Sequence, residues 1–147
     1  GFVAPLPESD RIHKQSSELM RPGTLDRIAR SFPDLKIIGA HLGLPYAAEA
    51  LALLKLPNVY YDMCGGSGAK RHRTLVKQVM APLPGADMSD PDENLALEYF
   101  EKMVFGTDNP PVSIWLEASE EIMDYLQIPD KTRQKFYYDN AASIFGW

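Results

Sequence analysis

The chain has 147 residues, of which 45% are hydrophobic and 24% are charged, and this is the composition of an ordinary globular domain. Its net charge of −5 argues against a nucleic-acid partner. It contains no stretch of about 18 apolar residues, so we expect no membrane association. The single cysteine, Cys64, excludes an internal disulfide and favours a reducing, cytoplasmic setting.

Residues 1–22 are rich in proline, serine and charge, and we expect a loop there. The segment starts at Gly1 instead of methionine and has no apolar run typical of a signal peptide. We therefore expect that the sequence begins partway through a longer protein, or that residues ahead of Gly1 have been removed. The chain is treated as a single partial domain, with βα units over residues 23–147.

Short apolar runs alternate with helical patterns from residue 23 onwards. Strands are predicted over residues 35–40, 58–63 and 103–106. Helices are predicted over residues 24–32, 46–54, 70–80, 93–102, 114–126 and 130–145, the last with a break near Asn140. Strands that alternate with helices form parallel βαβ units, so the predicted fold class is α/β.

Two polar residues follow the ends of predicted strands. His41 comes directly after the first strand, and Asp108 follows the third. Functional groups gather where parallel strands end, so these two are the candidate site residues. On the residues alone, Asp108 could equally cap the helix that follows it, and His41 could be satisfied by backbone groups at a strand end.

Four landmarks occur in a fixed order: FPDLKIIGAHLG at residues 32–43, PNVYYD at 57–62, FGTDNP at 105–110 and YDNAA at 138–142. Together they resemble the amidohydrolase family that includes aminocarboxymuconate semialdehyde decarboxylase and resorcylate decarboxylases. The resemblance extends from residue 23 to the C-terminus, which is most of the chain.

This resemblance implies a TIM-type (β/α)₈ barrel with zinc or a similar divalent ion at its mouth, of which the chain would carry strands six to eight. His41 would match the catalytic histidine after strand six. Asp108 would match the metal-binding aspartate after strand eight, and both are catalytic candidates. The implied activity is that of a hydrolase, or of a decarboxylase acting as a carbon–carbon lyase, on a small, carboxylated or cyclic substrate.

The other metal ligands of that family are missing from this chain. The family uses a His-x-His pair on the first strand and a histidine after the fifth, whereas the chain has only His13, His41 and His72. A complete barrel has about 250 residues, so roughly 100 are unaccounted for. We expect the isolated chain to be inactive, and its open sheet edges to be covered by the remainder of the barrel or by a second copy.

The other polar features of the sequence are given non-catalytic interpretations. Asp62, near the end of the second predicted strand, is expected to form hydrogen bonds within the barrel. Cys64 is interpreted as a small buried hydrophobe, with metal ligation as the alternative. His13 and the basic run at residues 70–73 are interpreted as solvated, although the run could also bind a substrate carboxylate.

A non-catalytic function is the alternative to the enzyme. The chain could be a non-catalytic α/β module that self-associates, with His41 and Asp108 as relics. Stoichiometric metal that is lost on Asp108→Ala would favour the enzyme, whereas a metal-free, folded oligomer would favour the module.

Overall fold

The three predicted apolar runs form one parallel sheet. The computed structural model of the chain describes residues 20–65, 69–109 and 111–147, so His13 and most of the predicted N-terminal loop lie outside the described residues. Within them the strand order is β1 (Ile37–Gly39), β2 (Val59–Asp62) and β3 (Met103–Val104). Each strand lies within its predicted segment and is shorter than predicted.

Helices connect these strands and follow the last one. Those in the described residues are α1 (Gly23–Ser31), α2 (Ala47–Leu53), α3 (Ala69–Val79), α4 (Leu95–Phe100), α5 (Val112–Tyr125), α6 (Asp130–Gln134) and α7 (Asn140–Phe145). A π-helical turn, Lys135–Asp139, joins α6 to α7, so the interruption predicted near Asn140 is a change of helix type. Within the described residues, no helix has both the length and the apolar character needed to cross a membrane.

The strands pair in parallel, and their register brings their ends together. Gly39 of β1 lies opposite Tyr61 of β2, which in turn lies opposite Met103 of β3. Because all three strands run in the same direction, their carboxyl ends meet at one edge of the sheet. That edge carries the residues that follow β1, β2 and β3.

Side chains alternate between the two faces of the sheet. Val59 and Tyr61 pack with Phe100 in the main hydrophobic core, on the face covered by helices. Full burial of a side chain the size of phenylalanine stabilises the fold by about 1.5–3 kcal/mol. Tyr60 and Asp62 therefore lie on the opposite face, which in a closed barrel is the interior.

Two asparagine side chains bind the amino ends of the strands to neighbouring segments. Asn58, which directly precedes β2, donates its amide group at 2.9–3.1 Å to three carbonyl oxygens, those of Ala29, Phe32 and Leu35. Asn140, at the start of α7, donates to the carbonyl of Met103 at 2.7 Å. These bonds fix α1 against β2 and the last helix against β3.

Gly39→Ala is expected to destabilise the fold. A Cβ at Gly39 would overlap the ring of Tyr61, which is 1% exposed and enclosed by the core. We expect the free energy of unfolding to fall by about 1–3 kcal/mol, as for other overpacked cores. Gly23→Ala is the matched control, because a Cβ there would meet only the Glu49 carboxylate at 3.3 Å. Urea unfolding compares the variants, and a Gly39→Ala protein as stable as the parent would contradict this packing.

Candidate functional site

The exits of β1 and β2 bring three candidate donor groups together. Beyond β1 the chain enters a 3₁₀ turn, His41–Gly43, whose first residue is the predicted catalytic histidine. β2 ends at Asp62, and Cys64 follows two residues later. The side chains of His41 and Asp62 are 30% and 16% exposed, and Cys64 is buried.

One carboxylate oxygen organises this group. Oδ1 of Asp62 accepts hydrogen bonds from the backbone N–H of His41 at 2.9 Å and from the backbone N–H of Cys64 at 3.1 Å. It also accepts the thiol of Cys64 at 3.0 Å. The interpretation of Asp62 as a hydrogen-bonding residue of the sheet is confirmed, and so is the burial of Cys64.

The imidazole of His41 is held by the backbone that follows β2. Its Nδ1 lies 2.9 Å from the carbonyl oxygen of Cys64. A carbonyl oxygen only accepts hydrogen bonds, so Nδ1 must carry the proton, and in the neutral ring Nε2 is then the basic nitrogen.

Asp108 lies at the same edge, beyond the exit of β3. It is exposed, has a left-handed backbone with φ of 54°, and accepts a hydrogen bond from Nδ2 of Asn109 at 3.4 Å. The preceding Gly106 packs against the β2 exit, since a Cβ there would lie 3.3 Å from Cβ of Asp62 and 3.4 Å from Sγ of Cys64. The catalytic roles of His41 and Asp108 stay predictions.

The side chains of His41, Asp62 and Cys64 are close enough together to be considered as metal ligands. One donor atom from each of His41, Asp62 and Cys64 lies within 4.8 Å of the others. However, Nδ1 of His41 is bonded to a carbonyl, and the thiol donates to Asp62. Burial raises the pKa of the Cys64 thiol, and the hydrogen bond to Asp62 and the charges of Asp62 and Asp108 raise it further. Without a bound ion the thiol is therefore held in its protonated form, whereas the carboxylate of Asp108 offers an oxygen ligand of the kind that divalent ions accept.

The sequence pattern placed His72 among solvated residues, and for this residue that prediction is wrong. Its ring packs edge-on against Trp115, with centroids 5.5 Å apart, and its Nε2 is buried without a hydrogen-bond partner. A signal for this burial exists in the sequence, because His72 precedes the buried residue Val76 by four positions on α3, and Met80, directly after the helix, is buried four positions later. The neighbouring Arg73 pairs with Glu121 at 2.8 Å on the surface.

The two histidines flank one glycine after β2. A Cβ at Gly65 would lie 2.9 Å from Cε1 of His72 and 3.0 Å from Nδ1 of His41. Gly65 also has a φ of +151°, which side chains rarely adopt. Glycine is therefore required where the two rings approach each other.

The partly buried ring of His72 should make the fold sensitive to acid. Burial, with the charge of His41 adding to it, lowers the pKa of His72 to about 4, whereas histidine in an unfolded chain titrates near ~6.5. Between these values the unfolded chain binds the proton and the folded chain does not. The free energy of unfolding should therefore be highest above about pH 6.5 and fall as the pH drops towards 4.

Urea unfolding at about pH 7.5 and pH 5 tests this in the parent chain and in His72→Gln, which should lose that component of the pH dependence. A proton NMR titration gives the pKa of His72 directly. A midpoint near that of free histidine would show that the ring is not buried as described.

The chain matches a known protein family. A family model described as amidohydrolase matches residues 11–147. No curated protein matches the chain. The chain is similar in structure to an uncharacterised TIM-barrel protein from Bordetella bronchiseptica, with 20% identity and a TM-score of 0.54 over 90% of this chain.

The alignment spans 41% of the length of that barrel. At this level of identity the likeness shows the fold alone. The predicted fold class, an α/β chain corresponding to part of a TIM barrel, is thereby confirmed. The family model covers residues 11–147, which is most of the chain, and members of this family typically bind metal. The match therefore shows that the chain belongs to the amidohydrolase family.

Proposed function

We propose that this chain forms the C-terminal part of a metal-dependent hydrolase or decarboxylase that acts on a small, carboxylated or cyclic substrate. The observation that carries the proposal is that His41 and Asp108 follow strands on either side of β2, at one edge of the sheet, in an amidohydrolase-family chain. The sequence landmarks shared with aminocarboxymuconate semialdehyde and resorcylate decarboxylases support decarboxylation as one of the two reactions.

Asp108 is the residue of this chain that we assign to the metal. Carboxylate oxygen is a ligand that zinc and other divalent ions accept in catalytic sites, together with two further protein ligands and a water. The remaining ligands would come from residues outside this chain. When bound, such an ion would lower the pKa of its water to about 7, which makes hydroxide available near neutrality.

His41 is the residue that we assign to proton transfer. Its Nδ1 is engaged by the Cys64 carbonyl, so Nε2 is the nitrogen that exchanges a proton. In hydrolysis it would take a proton from the attacking water. In decarboxylation Nε2 would first take up a proton from solvent and then hand it to the carbon whose bond to the carboxylate breaks, as carbon dioxide leaves.

The open edges of the sheet support the remainder of a barrel as the partner. In the described residues, β1 pairs only with β2 on one side, and β3 likewise pairs only with β2. Ile38 is 39% exposed, and by alternation with the core-packed Ile37 it lies on the face that a closed barrel encloses. A second copy of the chain is the other candidate partner.

The thiol of Cys64, which forms no disulfide, supports a cytoplasmic location.

Removing the carboxylate of Asp108 should weaken metal binding. In the intact protein, we expect Asp108→Ala to lower zinc affinity by about tenfold or more, because an anionic ligand is lost. Metal content by mass spectrometry and turnover of candidate carboxylated substrates are the measurements. Asp34→Ala is the matched control, since Asp34 is exposed and precedes β1 at the opposite edge of the sheet.

Equal metal loss in the Asp34 and Asp108 variants would contradict the assignment of Asp108. A protein that folds as a metal-free oligomer would contradict the enzyme and support the self-associating module.

The isolated 147-residue chain is expected to show no metal-dependent turnover. A catalytic zinc site normally needs three protein ligands, and we assign only Asp108 of this chain to the metal. The measurement is an activity assay with added zinc or manganese, with the intact barrel as the positive control. Turnover by the chain alone would contradict the proposal that its site is incomplete.

A further inference from the structure

The turn that leaves β1 has a strained backbone. His41 and Leu42 have φ angles of 59° and 49°, in the left-handed region. Residues with a Cβ rarely adopt this region, because the Cβ approaches the following carbonyl oxygen. Leu42 is 0% exposed and is held by the core, whereas His41 is only partly buried. Besides the hydrogen bond within the turn from the N–H of Leu44 to the carbonyl of His41 at 3.0 Å, the conformation of His41 can therefore use a restraint from outside the turn.

Asp62 supplies this restraint from the neighbouring strand. Its Oδ1 accepts the backbone N–H of His41 at 2.9 Å, across 21 residues of sequence. A hydrogen bond to an ionised acceptor is stronger than one between neutral groups. The carboxylate can therefore hold the turn in a conformation that the backbone alone disfavours.

The same oxygen also binds the backbone of Cys64, the residue whose carbonyl binds the ring of His41. It accepts the backbone N–H of Cys64 at 3.1 Å, and the carbonyl of Cys64 accepts Nδ1 of His41 at 2.9 Å. Asp62 thus acts on His41 directly through the backbone N–H and indirectly through the backbone of Cys64, and its Oδ1 also lies 3.7 Å from Nδ1 of the ring. The hydrogen bond from Nδ1 to the Cys64 carbonyl decides which ring nitrogen carries the proton.

The close approach of Gly65 adds a limit on ring movement. The position of a Cβ on Gly65 is only 3.0 Å from Nδ1 and 3.1 Å from Cγ of His41. The backbone of Gly65 thus lies against the ring on one side, so that the ring is confined by backbone as well as by its hydrogen bond.

We propose that Asp62 is a positioning residue, whose carboxylate holds the His41 turn and the Cys64 carbonyl so that the ring proton stays on Nδ1 and Nε2 serves as the base. The catalytic part of this proposal rests on the proposed function, whereas the placement of the proton does not. A different occupant of the same atoms would be a metal ion ligated by Nδ1 of His41, Asp62 and the Cys64 thiolate. The hydrogen bonds from the thiol and to the Cys64 carbonyl favour the positioning role.

The tautomer of His41 can be read in the full chain by nitrogen NMR. The chain contains three histidines, so selective labelling with nitrogen-15 gives a simple spectrum, assigned with His13→Gln and His72→Gln. We expect the Nδ1–H form of His41 in the parent chain. Free histidine favours the Nε2–H form, so an Nε2–H result in the parent would overturn the proposal.

Three variants distinguish the effect of the Asp62 carboxylate on the His41 tautomer from the effect of the Cys64 thiol. Asp62→Asn keeps an oxygen that can accept both backbone N–H groups and should retain the Nδ1–H form. Asp62→Ala removes that oxygen and should shift His41 towards the Nε2–H form. Cys64→Ala leaves the backbone bonds in place and should behave like the parent. Retention of the Nδ1–H form in a folded Asp62→Ala chain would overturn the role of Asp62.

If Asp62→Ala does not fold by circular dichroism, the other two variants still test the proposal. Loss of the Nδ1–H form in Cys64→Ala would show that the thiol, and not the carboxylate, holds the ring. Loss of that form in Asp62→Asn would show that the acceptor geometry assigned to residue 62 is wrong. Retention in both supports the placement of the proton on Nδ1 and excludes the thiol as the group that holds the ring.

Zinc titration of the chain, labelled in addition with carbon-13 at the Cβ of Cys64, tests the alternative of a metal site. We expect the Nδ1 resonance of His41 and the Cβ resonance of Cys64 to stay unchanged. A zinc-dependent shift of both, with loss of the Nδ1 proton, would overturn the positioning role in favour of a metal site.

The steady-state kinetics of the intact barrel test whether Asp62 contributes to catalysis. Asp62→Ala should lower kcat by about tenfold or more and leave KM nearly unchanged, whereas Asp62→Asn should retain most of kcat. A rise in KM at constant kcat would overturn the link to catalysis. If the tautomer follows Asp62 but the intact parent barrel has no activity, the placement of the proton is supported and the proposed function fails.

Discussion

Parallel pairing in register is the constraint on which the rest of this structure depends. The three strands run in one direction, so every residue that follows a strand is delivered to the same edge of the sheet. His41 and Asp62 meet there although 21 residues separate them in sequence. A shift of one residue in β2 would turn Asp62 towards the helical core and bring Tyr61 out of it. The site and the core therefore depend on the same register.

The elements of the fold were predictable because they follow hydrophobic periodicity. The strand ends were not, because they depend on hydrogen bonds made elsewhere in the chain. The N–H of Phe105 donates to the carbonyl of Phe136 at 2.9 Å, so β3 stops at Val104. The carbonyl of Leu35 accepts the side chain of Asn58, and β1 begins two residues later. Neither partner is visible in a local sequence pattern.

The candidate site was predictable to a different degree. The positions of His41 and Asp108 follow from strand ends and the sequence landmarks, and their catalytic roles stay predictions. The hydrogen bonds that converge on Asp62 depend on the left-handed turn at His41, which no residue type there predicts, since neither His41 nor Leu42 is glycine. The burial of His72 was hidden by the basic residues around it, although its spacing along α3 was informative.

The amide contacts of Asn58 and Asn140 lie at the amino ends of the strands, whereas the polar groups around Asp62 lie at the carboxyl ends. One set of residues thus fixes the alignment of the strands, and another set forms the candidate site. Such a separation leaves the exit loops free to change in length and composition over evolution while the strands keep their alignment. A scaffold of this kind can acquire a new substrate by altering one rim, without first having to rebuild the other.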